Sequence, residues 1–123
     1  MYILEIEDFF SAAHQLRAYR GKCENLHGHN WRVRITVEGE ELLPSGMLID
    51  FADLKKMTKE ALETLDHRFL NELPAFTQNN PTTENIARYI YEAVAARLPA
   101  NVRMGQVTAW ESEKSRATYR QSR

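Results

Sequence analysis

Apolar and polar residues alternate with period two at both ends of the chain and recur with helical period between them. Tyr2, Leu4 and Ile6 share one parity, with Glu5 and Glu7 on the other. This predicts a first strand over residues 2–14, ending at His14 after the small pair Ala12-Ala13. Trp31, Val33, Ile35 and Val37 alternate with Arg32, Arg34, Thr36 and Glu38, which predicts a second half-buried strand. Pro44-Ser45-Gly46 signals a turn, and Asp50 is a suitable N-cap for a helix whose apolar stripe is Leu54, Met57, Ala61 and Leu65. Asn79-Asn80-Pro81 is a second turn. Thr82, Thr83 and Glu84 then open a helix with the stripe Ile86, Ile90, Val94 and Leu98, ended by Pro99. Val102 to Arg120 reads as two strands turning near Glu113-Lys114. The predicted order is strand-strand-helix-helix-strand-strand in one α+β domain, residues 1–123.

Composition narrows the class. The 123 residues are 43% hydrophobic and 27% charged, enough for one real core and short for two. A net charge of −1 argues against nucleic-acid or membrane-surface electrostatics. No basic-then-apolar leader opens the chain, and no apolar run approaches the roughly 18 residues of a membrane span. The single cysteine cannot form an internal disulfide, so a reducing cytoplasm fits.

The chemistry-bearing residues collect around the first two strands. Extended backward from Trp31, the inward row reaches His29 and His27, which flank Gly28. His14 has the inward parity of the first strand, and antiparallel pairing of the two strands brings all three imidazoles together. An isolated His-x-His is as well explained by satisfied core residues. Three histidines without a thiolate are the pattern of a catalytic zinc site. The joining loop is basic (Arg17, Arg20, Lys22) and carries the only cysteine, Cys23. Asp66 and His67 are adjacent, so they work together only where the first helix ends, as Asn71, Leu73 and Pro74 suggest. On their own, Asp66-His67 reads as solvated surface, Thr82, Thr83 and Glu84 as capping, and Glu111 as a strand-end acid.

Taken together, these residues resemble the 6-pyruvoyltetrahydropterin synthase family. The resemblance rests on Ala13-His14, Cys23-x-x-x-His27-Gly28-His29-Asn30, Ile49-Asp50-Phe51, Leu65-Asp66-His67 with Leu70-Asn71, Pro81-Thr82-Thr83-Glu84 and Glu111, from about Phe9 to Tyr119. The three residues between Cys23 and His27 resemble the bacterial 6-carboxytetrahydropterin synthases of queuosine biosynthesis. Glu24 also makes Glu-x-x-His-Gly-His, which resembles variants that cleave dihydroneopterin with a glutamate in place of the cysteine.

The resemblance implies a T-fold: two helices on one face of a four-stranded antiparallel sheet, with trimers closing into a twelve-stranded barrel and stacking as hexamers with sites at subunit interfaces. It implies zinc on His14, His27 and His29, Cys23 as general base, and His67, oriented by Asp66, as second proton-transfer group. Glu111 would hold the pterin, with Thr82, Thr83 and Glu84 beside it, and Arg17 and Arg20 are candidates for the triphosphate. The implied reaction converts 7,8-dihydroneopterin triphosphate to 6-carboxy-5,6,7,8-tetrahydropterin, acetaldehyde and triphosphate. Alternatives within the family are pyruvoyl formation and dihydroneopterin cleavage. Outside that activity stand metal-free T-fold enzymes, which lack the three histidines, and a noncatalytic zinc- or pterin-binding module.

Overall fold

The computed structural model describes residues 1–18 and 25–122. Cys23, Glu24, Arg20 and Lys22, and the roles expected of them, lie outside the described residues. Strands β1 (Tyr2–His14) and β2 (His27–Gly39) are followed by helix α1 (Phe51–Glu63), a two-residue strand β3 (Arg68–Phe69), helix α2 (Thr83–Ala95), β4 (Arg103–Ser112) and β5 (Ser115–Tyr119). The strand order is β3-β1-β2-β4-β5.

The predicted four-stranded antiparallel sheet is corrected by β3, which pairs in parallel with β1 through Ala12–Arg68 and Ala13–Phe69. Two residues are too few for a period-two signal, and β3 exists because the chain reverses at the end of α1. His67 makes that reversal at φ 57°, and its N–H donates to Ser11 O at 2.6 Å.

β1 and β2 pair along their whole length, from Tyr2–Gly39 to His14–His27. The inward row of β2 is buried from Trp31 through Val33, Ile35 and Val37, and β4 adds Val107 and Ala109 beside it. Both helices cover that face. Asp50 caps α1 by accepting from Ala52 N at 2.8 Å, and Thr82 caps α2 by accepting from Asn85 N at 3.2 Å. Of the expected α1 stripe, Leu54, Ala61 and Leu65 are fully buried and Met57 is partly covered, with Thr58 and Leu62 buried beside them. Thr58 enters the core without an orphaned hydroxyl because it donates to Leu54 O at 2.8 Å. On α2 the buried residues are Ile86, Ala87, Ile90, Tyr91 and Val94, and the helix closes at Ala95, short of Pro99.

The other face of the sheet is polar and ordered. Glu7 takes hydrogen bonds from both Arg32 and Arg34, which hold its carboxyl below the usual carboxylate range, and Arg32 lies 4.3 Å over the Trp110 ring. No helix among the described residues is long and apolar enough to cross a membrane.

Candidate active site

The β1–β2 register places His14 directly opposite His27, and Ala12 opposite His29. Ala12 is small, so the His29 ring can lean into the space that a larger partner would fill. His14 is buried, with 2% of its side chain exposed. Trp31 forms the floor: its ring centroid is 5.2 Å from that of His14 and 5.3 Å from that of His29, both edge-on, and Phe10 stacks against it at 5.9 Å. Rigid aromatic contacts on this side fix the imidazole planes.

The hydrogen bonds on the far side of two rings decide what the near side can do. His14 Nδ1 lies 2.8 Å from Pro81 O, and His27 Nδ1 lies 2.8 Å from Asn25 O. A carbonyl only accepts, so Nδ1 carries the proton in each ring and Nε2 presents a lone pair when the ring is neutral. Those two Nε2 atoms are 2.9 Å apart. Two lone pairs at that distance repel, and a cation seated between them turns the repulsion into two ligand bonds. A backbone carbonyl that takes the other ring proton commonly fixes the tautomer and orientation of a metal-binding imidazole. The donor set fits a metal ion.

Glu111 joins this cluster. Ligand atoms of His14, His27, His29 and Glu111 all lie within 4.8 Å of one another, so the four could hold a metal. Glu111 Oε1 is 3.0 Å from His29 Nε2 and 3.5 Å from His14 Nε2, with 35% of the side chain exposed. Its other oxygen accepts from Thr83 Oγ1 at 3.4 Å. Glu111 continues the inward parity of Val107 and Ala109, at an irregularity in the β4–β5 ladder between Trp110 and Ser112. That parity was readable in the sequence, whereas its distance to the histidines was not. Bulges often re-aim a side chain next to functional sites.

The turn before α2 is placed against the same cluster. Pro81 supplies the carbonyl behind His14, Thr83 touches Glu111, and Glu84 is exposed in the first turn of the helix. Thr82 spends its hydroxyl on the cap.

Asp66 and His67 form a pair of their own. Helix α1 has ended by then, and the side chains meet at 3.0 Å between His67 Nδ1 and Asp66 Oδ2. Asp66 Oδ1 accepts from Ser11 N at 2.9 Å. That bond, and secondarily His67, hold the Asp66 carboxyl below its ordinary value against a desolvation that pushes the other way. His67 is 82% exposed. It borders an open depression of about 530 Å³ lined by Ser11, Ala13, Gly28 and Asn30 of the outward parity and also by Ala12 and His29 of the inward one. The imidazole of the pair faces solvent, whereas His14 is buried. Arg17 is tied to the chain through one nitrogen: its Nη2 donates to the carbonyls of Phe76 and Asn79.

Residues 3–122 match the family described as 6-pyruvoyl tetrahydropterin synthase. The chain belongs to that family. Its relatives include a dihydroneopterin monophosphate aldolase of Pyrococcus furiosus, 38% identical over 105 residues and covering 85% of each chain. A 6-carboxy-5,6,7,8-tetrahydropterin synthase of Bacillus subtilis is 43% identical over 93 residues, covering 72% of this chain and 62% of its own. The structure of Caenorhabditis elegans 6-pyruvoyl tetrahydropterin synthase superposes with a TM-score of 0.85 at 34% identity, covering 98% of this chain and 96% of that one. The α+β architecture with two helices on one sheet face is thus that of the 6-pyruvoyl tetrahydropterin synthase family, with β3 as a fifth strand. Family membership makes the protein a pterin-processing lyase, and among the described residues the histidine–glutamate cluster could hold a metal.

Proposed function

We propose that this protein is a zinc-dependent lyase that converts 7,8-dihydroneopterin triphosphate and one water to 6-carboxy-5,6,7,8-tetrahydropterin, acetaldehyde and triphosphate, in cytoplasmic queuosine biosynthesis. The observation that carries this reading is the convergence of His14, His27 and His29 on one cluster, taken with a cysteine that stands four positions before His27 in the sequence. His14, His27 and His29 would hold the zinc, whose undiminished charge would polarise the substrate's side-chain oxygens.

The remaining roles fall to this chain's own side chains. Cys23 takes the proton from the side-chain carbon next to a hydroxyl. A thiol of ordinary pKa, about 8.5, is only a few per cent ionised at neutral pH, so the base needs nearby positive charge, to which Lys22 contributes. His67, held by Asp66, moves the second proton. Because that pair faces outward, it serves a site on a neighbouring chain. Support for such an assembly comes from the sheet edges: among the described residues, β1 is paired on its outer side only at Ala12 and Ala13, and Tyr2, Ile3 and Phe9 are exposed. A long uncovered edge is a liability that closure into a barrel removes. We assign a homohexamer built from two such rings.

Glu111 anchors the pterin, one carboxylate accepting from the amino group and the neighbouring ring N–H, with Thr83 steadying its second oxygen. Glu111→Gln sets an amide donor against one of those donors. Hydrogen bonds to a charged partner are worth roughly 1.5–3 kcal/mol, so affinity for a non-reacting pterin such as sepiapterin falls at least about tenfold, with zinc content unchanged. Loss of zinc from Glu111→Gln, with pterin affinity kept, would instead make Glu111 a fourth ligand.

A second reading has its own support. Glu24 completes a Glu-x-x-His-Gly-His run, and the Pyrococcus relative is named an aldolase acting on dihydroneopterin monophosphate. Incubating the zinc-loaded protein with dihydroneopterin triphosphate and identifying the pterin and aldehyde products separates the two. On the favoured reading acetaldehyde appears, and Cys23→Ala abolishes it while Glu24→Gln does not. The reverse pattern, with a cleaved dihydroneopterin as product, overturns the assignment.

A further inference from the structure

The segment that follows His14 is held by side-chain amides rather than by a strand. Among the described residues the outer edge of β1 has no ladder partner beyond Arg68–Phe69, and Gln15 to Arg17 lie past the end of the strand, with a turn at Arg17. Asn71 Oδ1 accepts from Gln15 N at 2.9 Å, and its Nδ2 donates to Gln15 O at 2.6 Å. Asn80 repeats the arrangement two residues on: Oδ1 accepts from Arg17 N and Nδ2 donates to Arg17 O, both at 2.8 Å. Each amide supplies one donor and one acceptor side by side, which is what a neighbouring strand residue would supply.

Asn80 does more than extend an edge. Its own carbonyl is fixed by Thr82 N at 2.8 Å and by Asn85 Nδ2 at 2.9 Å. The next residue, Pro81, offers the carbonyl that takes the His14 Nδ1 proton. Two cross-links therefore join the same pair of segments: His14 to Pro81 and Arg17 to Asn80. Arg17 closes the arrangement by donating to Phe76 O and Asn79 O. Loosening Asn80 would free the Pro81 carbonyl to move off His14.

We propose that Asn80 is a positioning residue for the metal centre: by clasping Arg17 it holds the Pro81 carbonyl on His14 Nδ1, which keeps His14 Nε2 free of a proton and aimed at the metal. It has no contact with the reacting atoms. The proposal rests on the metal-binding reading above but not on which pterin reaction follows. Partners behind a ligating histidine typically change metal affinity by 10–100-fold.

The test is zinc affinity of the full chain, by competition with a chromophoric chelator, for wild type, Asn80→Ala, Asn80→Asp and a control. Asn101→Ala is that control, since Asn101 also donates its amide to two carbonyls, Glu41 O and Leu48 O, at loops outside the cluster. Asn80→Ala is expected to weaken zinc binding about tenfold or more, and Asn101→Ala to leave it unchanged. Asn80→Asp keeps the acceptor for Arg17 N but sets a carboxylate against Arg17 O, so it should also lose affinity and serves if the alanine variant does not fold. Nitrogen chemical shifts of the metal-free protein should show His14 protonated at Nδ1 in wild type and mixed between tautomers in the Asn80 variants. Wild-type zinc affinity in an Asn80 variant, equal losses in Asn80→Ala and Asn101→Ala, or an unaltered His14 tautomer overturns the proposal. None of these readouts needs turnover, so they stand even if the reaction assignment fails.

Discussion

His29→Ala and His27→Ala will each reduce bound zinc from about one per chain to near zero, and turnover will disappear with it. Each imidazole supplies a third of the histidine set, and with Glu111 assigned to the pterin no further protein ligand takes the place of a lost ring. The fold should survive. Buried apolar residues of α1, α2 and the inner sheet face form the core independently of the cluster, and the residue opposite His29 is only Ala12. Removing His27 also takes away the lone-pair crowding at His14 Nε2, and the metal-free variants should melt no lower than metal-free wild type by more than a few degrees. Thermal unfolding with and without zinc then gives the clearest reading. A ligand at 100 times its Kd stabilises the folded state by about 2.7 kcal/mol, so wild type gains thermal stability on adding zinc and neither variant does. Full zinc occupancy in both variants would sink the triad.

The fold and the triad were legible because both are periodic. The alternation in β1 and β2 fixes which side chains point inward, and a hairpin paired from Tyr2–Gly39 to His14–His27 leaves His14, His27 and His29 nowhere else to be. The helix caps at Asp50 and Thr82 were legible for a similarly local reason, since a short oxygen-bearing side chain before an apolar stripe has one obvious use. What escaped depends on contacts between distant segments. β3 has two residues and no pattern of its own. The asparagine amides at 71 and 80 bond to residues 56 and 63 positions away, and nothing in a Leu-Asn or Asn-Pro dipeptide announces such a partner. The carbonyl of Pro81 behind His14 carries no side-chain signature at all. Asp66-His67 was readable as a pair only once the helix was known to stop at Glu63, and its outward direction follows from the chain reversal at His67.

That reversal gives the second large effect a distinctive form. His67→Gly should remove turnover, by the 10²–10⁴-fold typical of a lost general acid or base, without lowering stability. A residue other than glycine at φ 57° costs roughly 1–2 kcal/mol, and glycine relieves it at an unfolded-state entropy cost of about 0.4–1 kcal/mol. The Asp66–Ser11 bond does not depend on the imidazole. Because the Asp66 carboxyl is held below its ordinary value, that contribution is present above the unfolded value of about 3.9 and is lost only as pH falls through the folded one. His67→Ala loses the imidazole but keeps the backbone strain, so it should be equally inactive and less stable than His67→Gly.

The pair of variants also tests whether the site is shared. His27→Ala lacks the metal centre and keeps His67; His67→Gly keeps the centre and lacks the proton-transfer group. Co-expressed in one assembly, random mixing would place an intact centre against an intact His67 in about a quarter of sites if the two come from different chains. Activity should then return to about that fraction of wild type. If both groups must come from one chain, every site in the mixture is defective and the mixture stays as inactive as its parents, which would refute the interface assignment.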